Sequence, residues 1–239
     1  YLKEKVKAGV NAVQIFDSWG GDCSGTSCTL SMAQDRNVTA SFREGTLSIA
    51  DMGNHEVSHG DVFNFQPEIT GGATICRKDL AHDDVTVDSE TGEISWDTSN
   101  LNFGRGFYIR IKCSNFNESV YASLVVHVDR SGTSRLRIAG EEGVSPYIGT
   151  AGRAMASGDT IVFPDGNYPV SVTGDESYEN AFNRNSPTSG TSEQYSTLIS
   201  KSPGGATING EPHSGIGKQK KAIELGENSY VALVGFVIK

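Results

Sequence analysis

The sequence predicts an all-β protein: an antiparallel sandwich followed by stacked parallel segments, with a short helix–strand piece in front. Three observations predict it. Apolar–polar alternation recurs in short runs, most cleanly in Phe107–Cys113. Glycine, at 28 of 239 residues, is enriched over the usual share of about 7% and gathers in the gaps between those runs. No helical period persists beyond the opening residues and a brief stretch near Ala151.

Taken in order, Tyr1–Ala8 is helix-like, with Leu2 and Val6 one turn apart, and Gly9 interrupts it. Ala12–Phe16 is then an apolar strand ending at Asp17. Leu30–Met32 and Val38–Phe42 alternate as half-buried strands around an Asp35-Arg36-Asn37 turn. Between residues 46 and 129 the predicted strands are Thr46–Ile49, Val62–Phe65, Val85–Val87, Phe107–Cys113 and Val120–Val128, at the spacing of an antiparallel sandwich. Beyond residue 131, Ala151–Met155 is a short helix stopped by Ser157-Gly158. Gly158–Thr173 holds two strands around a Pro164–Asn167 turn, and the polar Gly174–Glu193 stretch is a surface loop. Strands resume at Tyr195–Ile199, Ala206–Ile208, Ala222–Leu225 and Tyr230–Ile238, separated by tight corners. A single such coil cannot bury its own apolar face, so short strands with tight corners imply coil stacked on coil, a parallel β-helix.

Charge and cysteine usage narrow the function classes. A formal charge of −9 argues against a general nucleic-acid binder, which needs Lys and Arg to replace phosphate counterions. No run approaches the roughly 18 apolar residues of a membrane-spanning helix. Cys23, Cys28, Cys76 and Cys113 admit three disulfide connectivities. Locality favours Cys23–Cys28 and Cys76–Cys113, which would stabilise the fold by roughly 2 and 4 kcal/mol on the chain-entropy model. The alternative is four buried thiols; zinc fits badly, because no C-x-x-C or nearby His pair accompanies them. Oxidised cysteines imply a secreted or cell-surface location.

Particular segments resemble known families. YLKEKVKAGVNAVQIFDSWGG (residues 1–21) resembles a segment of uroporphyrinogen decarboxylase, a (β/α)8-barrel enzyme. The resemblance carries over no catalytic residue, and residues 22–239 lack the alternation that a barrel requires. Residues 22–45 form a second unit: WGGDCSGTSCTLSMAQDRNVTASF (19–42) resembles the end of an internalin-type β-repeat, with Cys23 and Cys28 bracketing a turn. The two resemblances overlap at Trp19–Gly21, and we read a chimeric join there. Residues 46–130 resemble immunoglobulin-like or cadherin-like modules of secreted bacterial proteins, through VDSETGEISWDT, GFYIRIKCSN and ASLVVHV. In those modules an Asp-x-x-Thr-Gly turn precedes a strand. Residues 131–239 resemble the N-terminal cap and first coils of the pectate-lyase-like right-handed β-helix, through GDTI…PDGNY, TLISKSPGGATING and KAIEL…SYVALVGFVIK. Both ends read as cut, so a fragment is expected, with residues 195–239 aggregating or fraying without their continuation.

The pectate-lyase-like resemblance implies chemistry on uronates. Such lyases abstract the proton alpha to a carboxylate with a Lys or Arg base and a cation such as Ca²⁺, while β-helix hydrolases use paired carboxylates. Both sets are expected beyond Lys239. No catalytic, cofactor or metal residue is therefore assigned, and calcium enters only through the full-length protein. Lys218, Lys220 and Lys221 could touch an acidic glycan, although a solvated corner is the favoured reading. Asp83, Asp84, Asp88 and Glu90 offer hard oxygen ligands but lack the spaced calcium-loop pattern; an exposed acidic loop is favoured. Asp159 and Asp165 read as turn formers. His55, His59, His82, His127 and His213 are scattered, and His127, in an apolar strand, reads as a core or edge residue. Asn37 and Asn117 begin glycosylation sequons.

The function expected is that of a secreted or surface bacterial-type protein that binds or cleaves extracellular polysaccharide. The rival is a non-enzymatic adhesin or stalk. A third reading, a decarboxylase, rests on residues 1–21 alone; one βα element cannot enclose a tetrapyrrole.

Overall fold

The computed structural model describes residues 14–31, 34–72, 75–115, 118–141, 143–144, 146, 151, 155–169, 188–209 and 229–239. Within them the regular structure is nearly all β. The expected helices at Tyr1–Ala8 and Ala151–Met155 fall wholly or largely outside the described residues, as do Ala222–Leu225, Lys218, Lys220, Lys221, His213 and Asn117. Among the described residues no helix is long and apolar enough to cross a membrane.

β1 (Gln14–Gly21) and β2 (Val38–Glu44) form an antiparallel pair, Gln14 opposite Glu44 and Gly21 opposite Val38. This corrects two expectations. The first strand does not stop at Asp17 but runs through Gly21, and Val38–Phe42 pairs with it rather than with Leu30–Met32. Alternation shows that a segment can be a strand without naming its partner, and the Cys23–Cys28 ring brings the chain back onto β1. There the Trp19 N–H donates to the Gly25 carbonyl at 2.8 Å, and the two cysteine Cα atoms lie 5.5 Å apart.

Two sheets enclose the central core. One orders β4 (Asn54–Ser58), β11 (Ser119–Asp129), β10 (Gly106–Ser114) and β7 (Ile75–Leu80). The other orders β5 (Val62–Phe65), β9 (Ile94–Asp97) and β8 (Val85–Val87). A short ladder, β3 (Ser48–Ile49) with β6 (Ile69–Thr70), flanks them. Trp96, Ile94, Phe63, Ile109, Ile111, Leu124 and Val126 pack together in this core. Inward positions alternate with outward ones along β10 and β11, as a two-faced sheet requires. The wholly antiparallel expectation needs correction at one edge: β4 runs parallel to β11, Asn54 beside Val125 through Ser58 beside Asp129. Asn54–Ser58 has no clean alternation, so its pairing is set by the sheet it joins rather than by its own sequence.

Cys76 and Cys113 are directly opposite on β7 and β10, disulfide-bonded, with Cα atoms 4.1 Å apart. Both are buried. Every cysteine is paired, so the local connectivity is the one present and the thiol alternative falls.

The remaining strands run parallel. β12 (Leu136–Ile138), β13 (Thr160–Phe163), β15 (Ser196–Ser200) and β17 (Val231–Val234) stack in one sheet. β14 (Gly166–Pro169), β16 (Ala206–Asn209) and β18 (Phe236–Ile238) form a second. The registers agree from layer to layer: Ile161, Leu198 and Leu233 line up in the first sheet, Asn167, Thr207 and Val237 in the second. Ile161, Leu198, Phe163 and Ile208 are buried together, with Leu233, Tyr168 and Phe236 packed against them. The expected continuous strand at Tyr230–Ile238 is broken at Gly235, whose φ of 75° turns the corner between β17 and β18. β13 and β15 are buried at every position because both their faces are covered. One faces their own core; the other faces the four-stranded sheet.

Candidate functional site

That four-stranded sheet meets β13 and β15 through a buried apolar seam with hydrogen bonds at its edges. Tyr108, Val125, Val162 and Ile199 form a buried apolar seam, with Leu136 and Val234 at its border. The Tyr108 hydroxyl donates to the Ser200 carbonyl. Burial pushes the Tyr108 hydroxyl above its ordinary pKa, so it stays a donor.

Gln194 fastens the seam's end. It is 2% exposed. Its Nε2 donates to the carbonyls of Val128 and Gly158, both at 3.2 Å, and its Oε1 accepts the Arg130 N–H at 2.7 Å. Backbone bonds from Gly104 to Glu193 and from Tyr195 to Gly104 add a second tie. One amide thus ties two distant segments, at Val128–Arg130 and at Gly158, to its own. No local pattern marks it; it stands at the end of a polar stretch that reads as surface loop.

His127, fully buried, is the third fastening. Its Nδ1 lies 2.7 Å from Thr160 Oγ1 and its Nε2 3.0 Å from Ser134 Oγ. The Ser134 hydroxyl donates to Asp129 Oδ1 at 2.6 Å, so it accepts from His127 Nε2–H. Nε2 therefore carries a proton, and the neutral ring that burial favours takes the Thr160 hydroxyl as donor to Nδ1. Burial holds its pKa below the ordinary imidazole value, more than Glu56, Asp129 and Asp159 raise it; Arg135 lowers it further. Although Asp, Ser and His are adjacent, this is no nucleophilic triad. Serine sits between the other two and is 2% exposed, so no base faces it from an accessible pocket. The expectation of a core histidine is met.

A group whose folded pKa lies below its unfolded one contributes stability above the unfolded value, near 6.5 for imidazole. Below that pH the unfolded chain takes up a proton that the folded chain resists, so stability falls with acidification. The denaturant midpoint is expected to drop between pH 7.5 and 5, and His127→Asn to flatten that part of the dependence. Asp129, which burial raises but its bonds from Ser134, Ser131 and Gly132 lower overall, acts only below the carboxylate range.

Other residues singled out by the sequence serve the fold. Asp159 is 1% exposed, accepts the N–H groups of Arg135 and Ala156, and pairs with Arg137 Nε at 3.2 Å. It closes the turn expected of it and joins two strands besides. Asp165 accepts the Ser202 N–H at 3.0 Å. Asp88 accepts from the Glu90 and Thr91 N–H groups and the Thr91 hydroxyl, which holds its carboxyl below the usual range. That is the turn the module resemblance implied. Asp83, Asp84, Asp88 and Glu90 are not brought together as ligands: among the described residues no cluster of three or more His, Cys, Asp or Glu could hold a metal. His55 bonds the Met52 carbonyl at 2.7 Å beside Phe63 and Phe65; His59 bonds the Leu101 carbonyl at 2.9 Å; His82 stacks near Trp96.

Where the seam stops, an open cleft of about 430 Å³ remains between the outer sheet face and the corners of the parallel strands. Tyr121 and Ser123 line it from β11, Pro164, Asp165, Lys201 and Ser202 from the corners. Lys201 Nζ pairs with Asp51 at 2.6 Å across it. No local pattern marks this cleft, because its walls come from segments far apart in the chain.

No family model matches the chain. Over 21 residues it is 95% identical to uroporphyrinogen decarboxylase of Flavobacterium johnsoniae and 90% identical to that of Christiangramia forsetii. That is 9% of this chain and 6% of each of those proteins, the length of the Tyr1–Gly21 segment. The short resemblance to that enzyme is therefore real, and the chain spans only a small part of the curated relatives it matches. Among solved structures, the titin M3 domain is similar at 14% identity, over 35% of this chain and 97% of that one, with a TM-score of 0.28. A score that low carries no argument.

Proposed function

We propose that this chain belongs to a secreted or surface protein that binds or cleaves extracellular polysaccharide through a parallel β-helix, with an immunoglobulin-like sandwich as its fixed support. The supporting observation is the agreement of register across the parallel layers, Ile161–Leu198–Leu233 in one sheet and Asn167–Thr207–Val237 in the other. Stacked coils of this kind present long, regular rows of side chains, a surface matched to a polymer with its own repeat. Two disulfides fit an oxidising compartment.

The test is affinity electrophoresis of the full chain through gels containing uronate and neutral polysaccharides, with the ultraviolet absorbance of unsaturated products followed in parallel. Retardation or product formation with at least one polymer is expected. Unchanged mobility and no product with every polymer would reject the reading. A second reading, a non-enzymatic stalk or adhesin, is favoured by the seam: a buried joint fastened by Gln194 and His127 suits a rigid spacer.

A further inference from the structure

The outer face of the four-stranded sheet is only half covered. Towards one end, Tyr108, Val125 and His127 disappear under the parallel strands. Towards the other, Tyr121 stays 53% exposed at the floor of the cleft. The register places Tyr121 directly opposite Lys112 and Lys112 directly opposite Arg77, so the three share one row and one face. Lys112 Nζ and the Arg110 guanidinium lie 5.3 and 5.6 Å from the Tyr121 ring centre. Arg110 is paired with Asp79 at 2.5 Å, and Lys201 with Asp51. Among the described residues Arg77 and Lys112 have no carboxylate partner. Like charges directly opposite on neighbouring strands destabilise a sheet, and this pair occurs in a chain of net charge −9.

We propose that this half-face binds a uronate-bearing glycan. A sugar ring stacks its C–H face on Tyr121, its carboxylate lies between Lys112 and Arg77, and its hydroxyls meet Ser123 and Ser202 in the cleft. A uronate supplies both requirements in one residue: an apolar ring face for the aromatic, and an anion for two cations at directly opposite positions of adjacent strands. The inference rests on the polysaccharide reading and adds to it a substrate class and a second place, on the supporting sheet beside the coils.

Titration calorimetry of the full chain with hexagalacturonate and cellohexaose tests it. Hexagalacturonate is expected to bind and cellohexaose to bind at least about tenfold more weakly. Tyr121→Ala and Lys112→Ala should each weaken hexagalacturonate about tenfold, with Lys112→Ala also reducing the salt dependence, while Tyr121→Trp retains binding. Because Tyr121 is exposed and Lys112→Ala relieves a like-charge pair, neither variant should unfold below the parent temperature; a variant that does is replaced by Tyr121→Ser or Lys112→Gln. Undiminished binding by both alanine variants would overturn this site while leaving the polysaccharide reading intact. Absence of hexagalacturonate binding, or equal binding of a thymidylate dodecamer, would overturn the proposal. Retardation by a neutral polymer alone would then preserve the broader reading.

Discussion

Replacing Cys76 and Cys113 together by serine is expected to lower the unfolding free energy by about 4 kcal/mol. The bridge closes a long loop, with a sequence separation of 37. On the chain-entropy model a bond over that span removes far more freedom from the unfolded chain than the Cys23–Cys28 bond, with a separation of 5, can remove. Both sulfurs are also buried in the core beside Trp96 and Ile111, so the substituted hydroxyls would need partners that an apolar core does not offer. Guanidinium denaturation of the parent and the double variant measures the effect. A loss below about 1 kcal/mol would mean that the unfolded chain is already constrained by other means.

Gly104→Ala is expected to cost about 3 kcal/mol and to loosen the seam without touching either apolar core. A Cβ at Gly104 would overlap the Val128 carbonyl oxygen and the Gln194 side-chain amide. The carbonyl belongs to the backbone of β11 and cannot swing aside, so Gln194 must leave its place. Its three bonds to Val128, Gly158 and Arg130 go with it. Thermal unfolding followed by tryptophan fluorescence, with Trp96 in the sandwich-like core, and by circular dichroism should show one shared transition in the parent. In the variant the two signals should separate; coincident, unshifted transitions would show that the seam contributes little.

The strands legible in the sequence are those whose own side chains pay for their burial. Phe107–Cys113 and Val120–Val128 alternate over enough residues to show which face is inward, and Val62–Phe65 and Val85–Val87 are bounded by turn residues. Leu136–Ile138 and Asn54–Ser58 carry no such pattern, and each becomes a strand by joining an existing ladder in parallel. Val38–Phe42 shows the same limit: two alternating runs around a turn satisfy the local rule, while the strand that pairs with it lies before the disulfide ring. Cysteine pairing was legible because nearness in sequence, for one bond, coincided with nearness in space. The candidate site was almost illegible. His127 could be read as a core residue from its apolar strand, yet Tyr108, Gln194 and Tyr121 acquire their roles only when distant segments meet.

The central claim is that strands β13 to β18 stack in parallel and in register, and one crosslinking measurement reaches it directly. Asn167 on β14 and Thr207 on β16 are register partners, about 4.8 Å apart at strand spacing. In the full chain, Asn167→Cys with Thr207→Cys is expected to form an additional disulfide under mild oxidation, detectable as a linked peptide by mass spectrometry. Asn167→Cys with Ile208→Cys should not, because Ile208 points into the core. Linkage of the 167–208 pair in preference to 167–207, or of neither, would contradict the stacked arrangement on which the functional reading depends.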